Sequence, residues 1–174
     1  MEFSGTKWSD SATGGLGVWN VEVHGEVQLL RGNHPARVDE KGRLKIPTGF
    51  FELIETNYGS DIFVTSVSGD NARIYPMNVW SEVERKLGSM PDSHPAKTKF
   101  LNRVHFFGQA SVLDSQGRLV IPALLRESAQ MKGNVAVLGK FNFLEVWNQE
   151  YFLEKLNREP MTDDDQRALS DFGI

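Results

Sequence analysis

Cysteine is absent from this 174-residue chain. That excludes disulfides and thiol chemistry and fits a reducing cytoplasm. No apolar run approaches the roughly 20 residues a helix needs to cross a bilayer, so no membrane partner is expected. The first residues, Met1–Thr6, have neither a basic n-region nor an apolar h-region, and secretion is not expected. Catalytic signatures are missing as well. Gly14–Gly17 is Gly-rich but no Lys-Ser/Thr follows it, so it is not a phosphate loop. There is no Gly-x-Ser-x-Gly and no dinucleotide fingerprint. The four histidines (His24, His34, His94, His105) are scattered, none with a second His or Cys at ligand spacing. The acidic run Thr162–Asp165 lacks the spacing and the glycine of a calcium loop. Nothing assembles a nucleophile, a base and an oxyanion site. The chain is therefore expected to be no enzyme and to need no metal, cofactor or small-molecule substrate.

An overall excess of positive charge is also lacking, since the net charge is −4. Taken alone, that argues against a nucleic-acid partner, but distribution matters more than the sum. From Gln28 to Phe50 there are five basic and two acidic residues, a local +3. From Glu145 to Ile174 there are eight acidic and three basic, a local −5.

The basic stretch coincides with the most informative feature of the chain. Arg37–Pro47 contains Asp-x-x-Gly-Arg-Leu-x-Ile-Pro, and Leu113–Pro122 repeats it 75 residues later. Six identities at fixed spacing mark an internal duplication. Asp39 and Asp114 suit the first position of a type I turn, where the carboxylate accepts from backbone N–H groups. Gly42 and Gly117 suit the following position, which needs φ > 0 and forms a bulge. Ala36–Asp39 and Arg43–Ile46 then pair as a hairpin. By alternation Leu44 and Ile46 point one way, Arg43 and Lys45 the other. Pro47 and Pro122 end the pairing and fit the first turn of a helix. Each repeat reads as a tight hairpin running into a short helix. The turn itself does not require an arginine after the glycine, yet both copies keep one, Arg43 and Arg118.

With 40% hydrophobic and 24% charged residues the chain is globular. Residues 1–28 are Gly/Ser-rich early on, a flexible composition, with one strand-like run at Val18–Val23. The first repeat spans 33–80: an amphipathic helix over Thr48–Asn57, strands at Asp61–Val67 and Ala72–Tyr75, then a helix capped by Asn78 with Val79, Trp80, Val83 and Leu87 on one face. A helical linker covers 81–108, with Gly88–Pro95 loop-like. Ala96–Phe107 reads as a helix that buries Phe100, Leu101 and Val104 and leaves Lys97, Lys99 and Arg103 solvated. The second repeat, 109–152, echoes the first: a helix over Ala123–Met131 closed by Gly133, strands at Val135–Leu138 and Leu144–Trp147, and Asn148 capping a helix with Phe152, Leu153 and Leu156. Residues 153–174 form a helical acidic tail, with a helix start at Thr162–Asp165. The fold class is mainly β with short helices (α+β), and the aromatic residues are expected in the core.

The double motif, led by Arg31–Arg37, resembles the MraZ family of bacterial transcriptional regulators, built from two SpoVT-AbrB-type domains. The resemblance runs from about Leu30 to Leu156. It implies tandem AbrB-like swapped-hairpin units forming a double-psi-like barrel within one chain, and subunits that associate into a ring-shaped homo-oligomer. The implied partner is double-stranded DNA with direct repeats upstream of the chain's own division and cell-wall gene cluster. Repression is the implied outcome, in a cytoplasmic, nucleoid-associated protein. Carried over by position, Arg43 is the leading DNA-contact residue, supported by Arg37, Lys41, Lys45 and Arg31.

Two further expectations follow. The resemblance leaves out residues 1–28, which are expected to be dispensable, with Val27 a candidate alternative start. The repeats also differ: Arg37, Lys41 and Lys45 are replaced by Val112, Gln116 and Val120. The first repeat is thereby assigned to DNA, the second mainly to packing, and Arg118 to assembly or DNA. An antitoxin-like interaction module sharing the hairpin fold is the other function class. The second folded repeat, where an antitoxin would carry a disordered toxin-binding tail, favours the regulator.

Overall fold

The computed structural model describes residues 28–174, so the strand-like run at Val18–Val23, His24 and the expectations for the N-terminal extension lie outside the described residues. The first repeat folds as β1 (Leu30–Val38), β2 (Arg43–Lys45), α1 (Thr48–Tyr58), β3 (Asp61–Thr65) and β4 (Ala72–Pro76), followed by α2 (Met77–Ser89) and α3 (Pro95–Phe106). The second repeat gives β5 (Gln109–Val112), β6 (Arg118–Val120), α4 (Ala123–Ser128), β7 (Gly133–Phe141) and β8 (Phe143–Asn148), then α5 (Gln149–Arg158) and α6 (Asp163–Ser170).

All eight strands join one antiparallel sheet in the order β5-β3-β4-β8-β7-β1-β2-β6. Its end strands meet at the second turn, where the Asp114 amide donates to the Arg118 carbonyl at 3.0 Å. The sheet is thus a nearly closed barrel with short helices, a double-psi-like AbrB-type fold. Exchanging β1–β4 with β5–β8 leaves this cyclic order unchanged. A pseudo-twofold axis therefore relates the repeats and passes through the two self-related pairings, β2·β6 and β4·β8. In the first of these, Leu44 faces Leu119, its counterpart in the repeated motif.

The pairings β1·β7, β2·β6, β3·β5 and β4·β8 all join one repeat to the other. Neither hairpin has a core of its own. Leu44, Ile46, Leu119 and Ile121, the inward residues of the two motifs, are buried in one cluster with Leu30, Ile54, Leu144 and Val146. Fully burying each such side chain contributes roughly 1.5–3 kcal/mol, so interlocking is the route by which two small units acquire a sufficient core.

Several local expectations shift. β1 is nine residues long because β7 pairs along its whole length, which the hairpin motif alone does not reveal. Pro47 and Pro122 stand at the N-caps of α1 and α4, one residue before the first helical turn. Asn78 is inside α2, whose N-cap is Pro76; its Oδ1 accepts from the Val79 amide at 2.9 Å. α4 stops at Ser128, short of the Met131 expected, as the chain turns through positive φ at Gln130 and Gly133. Lys97 is buried, where a solvated residue is expected. Its ammonium donates to the Met90 carbonyl (3.0 Å) and to Asp92 (2.6 Å), tying α3 to the linker. Asn148 does cap α5, accepting from the Tyr151 amide at 3.0 Å, and Thr162 and Asp165 form a capping box on α6.

Candidate nucleic-acid interface

Both motif turns form as their residues dictate, and in the same way. Gly42 (φ 77°) and Gly117 (φ 71°) occupy the left-handed region that only glycine enters freely. Their amides donate to the Asp39 and Asp114 carbonyls, each at 2.9 Å. Asp39 Oδ1 accepts from the Lys41 and Arg43 amides, both at 2.9 Å, while Oδ2 accepts from Arg43 Nε at 2.7 Å. Asp114 repeats the set with the Gln116 and Arg118 amides (2.9 Å each) and Arg118 Nε (2.8 Å). Hydrogen bonds from the Arg43 amide, then from its guanidinium, hold the Asp39 carboxyl below the ordinary carboxylate range. The Arg118 amide and guanidinium do the same to Asp114. Each arginine is thus oriented through Nε while its side chain stays 47% (Arg43) or 43% (Arg118) exposed. A guanidinium held through Nε leaves its fork of terminal N–H donors for other acceptors.

Strand register decides which cations share a surface. β2 pairs with β6 so that Arg43 faces Val120 and Lys45 faces Arg118, and directly opposed residues project to the same side. On the other flank Val38 faces Leu44, so continuing that register by one residue sets Arg37 beside Lys45. Arg37, Lys45 and Arg118 therefore form a row across three adjacent strands, about 10 Å wide at the usual strand spacing. Arg43 stands one pleat along β2, and Lys41 is exposed at the tip of the first turn. The backbone contact is reciprocal: the Ile46 amide donates to the Gly117 carbonyl (2.8 Å) and the Ile121 amide to the Gly42 carbonyl (3.0 Å). The two turns consequently flank one short ribbon.

This brings together four of the five candidate cations, Arg37, Lys41, Arg43 and Lys45, and adds Arg118 from the second repeat. Arg31 is set apart. It lies six residues from Arg37, roughly 20 Å along an extended strand, and faces Lys140 of β7. Val112 and Val120 are exposed, at 60% and 53%, as the alternation of the second hairpin requires. Two residues near the site are not singled out by the motif. Lys140 becomes a neighbour of Arg31 only through the β1·β7 pairing. Arg126 on α4 reaches the first turn, its Nη1 donating to the Lys41 carbonyl at 3.4 Å. Carrying the repeat alignment four residues past each proline pairs Arg126 with Phe51, which is the signal in the sequence that marks it.

Among the described residues no cluster of His, Asp or Glu is arranged to hold a metal ion, and no helix is long and apolar enough to cross a membrane. Known proteins resemble this chain over most of its length. It is 50% identical over 146 residues to the transcriptional regulator MraZ of Acidobacterium capsulatum, covering 84% of this chain and all of that protein. It is 45% identical over 147 residues to the Koribacter versatilis protein of the same name, again covering 84% of this chain and all of the relative. With the Herpetosiphon aurantiacus protein of that name, identity is 34% over 123 residues, 70% of this chain and 82% of the relative. Residues 107–172 also match the family model described as "MraZ protein, putative antitoxin-like". The repeated turn motif, the interlocked barrel and these identities agree: the chain belongs to the MraZ family of transcriptional regulators.

Proposed function

We propose that this transcriptional regulator acts by binding double-stranded DNA in a sequence-specific manner through the outward face of the β1-β2-β6 ribbon. The supporting observation is the row Arg37–Lys45–Arg118 with Arg43 beside it, two of whose arginines are oriented by turn carboxylates. The β2·β6 pair at the centre of this face is a two-stranded ribbon of the kind that fits the major groove, and an arginine forked on guanine O6 and N7 discriminates by roughly 1–3 kcal/mol. Arg43 takes that role. Lys41, Lys45, Arg37 and Arg118 supply phosphate attraction, which positions without specifying. Arg31, with Lys140, lies far enough away to meet a neighbouring stretch of backbone.

In this reading the operator consists of direct repeats upstream of the chain's own division and cell-wall gene cluster, and occupancy represses it. Several subunits assembled as a ring present the ribbon repeatedly, so that modest single contacts gain from avidity on repeated DNA. The test is a gel shift on a duplex from that upstream region against a scrambled duplex of equal length, in a salt series. Preferential retardation, with log affinity falling linearly with log salt, supports the reading. Equal binding to both duplexes removes sequence specificity. No binding to either leaves the antitoxin-like module as the better description.

A further inference from the structure

The turn of the first hairpin is covered from the other repeat. Arg126 on α4 lies so close over Gly42 that a Cβ built there would come within 1.2 Å of Nη1, and the same nitrogen donates to the Lys41 carbonyl at 3.4 Å. Across the pseudo-twofold, Phe51 on α1 occupies the equivalent seat over Gly117, where a Cβ would come within 2.7 Å of its ring. Both covering residues stand four positions beyond a motif proline. The chain thus covers its two like turns with two unlike side chains. An aromatic ring is enough to pack over such a turn, as Phe51 demonstrates. A guanidinium is therefore not demanded by turn packing, and it occurs over the hairpin that carries Arg37, Lys41 and Lys45.

We propose that Arg126 is a positioning residue for DNA recognition: from the second repeat it fixes the Lys41–Gly42 peptide, and so sets the angle at which Lys41 and Arg43 are presented. The inference rests on the DNA-binding reading above. A direct phosphate contact fits less well. Arg126 and Lys132 line a cleft of about 680 Å³ between the first turn and α4, together with Asp39, Glu40 and Glu127. Three carboxylates at its walls oppose the entry of a phosphate. The neutral function left for Arg126 is to hold the turn, using a donor that reaches a backbone carbonyl, which a phenyl ring cannot do.

Arg126→Phe tests this, because it installs on the first turn the cover that the second turn already tolerates. Thermal unfolding is measured beside affinity for the upstream duplex and for its scrambled counterpart. The expected result is an unfolding midpoint within about 4 °C of wild type, an upstream-duplex affinity about tenfold weaker, and scrambled-duplex affinity and salt slope unchanged. Arg126→Lys keeps a donor without the planar fork and should fall between. Three results overturn the inference: an unchanged upstream-duplex affinity in Arg126→Phe; a salt slope reduced by about one, which marks a phosphate contact; or a large loss of stability with both duplexes weakened together. Arg43→Ala is the control. If wild type prefers the upstream duplex and Arg43→Ala does not, the DNA reading stands whatever Arg126→Phe shows. If wild type has no preference, the DNA reading fails first.

Discussion

Arg43 and Asp39 act as one unit. The carboxylate accepts from two backbone amides and from Arg43 Nε, so it shapes the turn and aims the arginine together. Arg43→Ala removes the fork and is expected to cost operator affinity about 5- to 150-fold, the range equivalent to 1–3 kcal/mol, with assembly unchanged by light scattering. Arg118 stands in the same basic row but opposite Lys45, with the apolar Val120 as its own-strand neighbour on that face. Arg118→Ala should therefore lower the salt slope by about one, with little change in preference between duplexes. Equal losses of specificity in the two variants would contradict the asymmetry between repeats. Asp39→Asn keeps an oxygen for the Lys41 and Arg43 amides but loses the charge facing Nε, and a partial loss of specificity is expected. The pH sign follows from the depressed carboxyl. The folded value lies below the unfolded one, so the turn's contribution is fully present above about pH 4 and is lost as pH falls through the folded value. A carbon-13 titration of the Asp39 carboxyl should find its midpoint below about 3.9, and a midpoint at or above that value would contradict the hydrogen-bonded turn. The turns were legible in the sequence because Asp, Gly and Arg each have a local reason to stand where they do. The presence of Arg118 in the same row was not, because strand register between repeats is a non-local property.

At the scale of elements, the second self-related pairing, β4·β8, carries a charge pair on the pseudo-axis. Arg73 faces Glu145 in register, with Nε 3.1 Å from Oε1 but not aligned as a hydrogen bond. Glu145 Oε2 also accepts from Trp147 Nε1 at 3.3 Å, and Arg73 lies 5.7 Å from the centre of the Phe143 ring. Two identical halves would place like charges directly opposite each other here, which is destabilising in a sheet. A first repeat pairing with a first repeat of another chain would meet that penalty, Arg73 against Arg73. The opposite charges thus favour pairing within the chain. Glu145→Ala should destabilise by about 1–3 kcal/mol, less than a fully buried pair because Arg73 is partly exposed. A denaturant double-mutant cycle with Arg73→Met should show a coupling above about 0.5 kcal/mol, and a coupling of zero would remove the pairing argument. Which strands and helices exist was mostly readable from periodicity and caps, as α1, α5 and α6 show. Their extents were less so. β1 is extended by β7, and α4 is cut short at a turn where Gln130 and Gly133 both take positive φ. Lys97 read as a solvated charge because sequence spacing does not show that the linker folds back over it.

At the scale of the molecule, the net charge of −4 conceals a separation of charge between a basic ribbon and an acidic C-terminal segment. The apolar surface is divided as well. Leu153 and Leu156 of α5 are more than half exposed, and Phe172 and Ile174 beyond α6 are more exposed still. Val112 of β5 is exposed as well, whereas Val120 stands opposite Arg43 on the basic face of the ribbon. The fold gives no intrachain reason for leucines at 153 and 156, since their exposure means that the core gains little from them. Unlike exposed surfaces at α5 and β5 suit head-to-tail contacts between copies, and such contacts close into a ring when the rotation permits. The double variant Leu153→Ser/Leu156→Ser should therefore fold normally by far-UV circular dichroism and show a lower mass by light scattering. Its affinity for a duplex with one repeat should match wild type. On a duplex with several repeats it should lose the avidity gain, on the order of 100-fold. A wild-type protein that is monomeric at micromolar concentration would contradict assembly itself. A double variant with unchanged mass would place the contacts elsewhere on the surface, and loss of binding to the single-repeat duplex would show that these leucines support the ribbon rather than the ring.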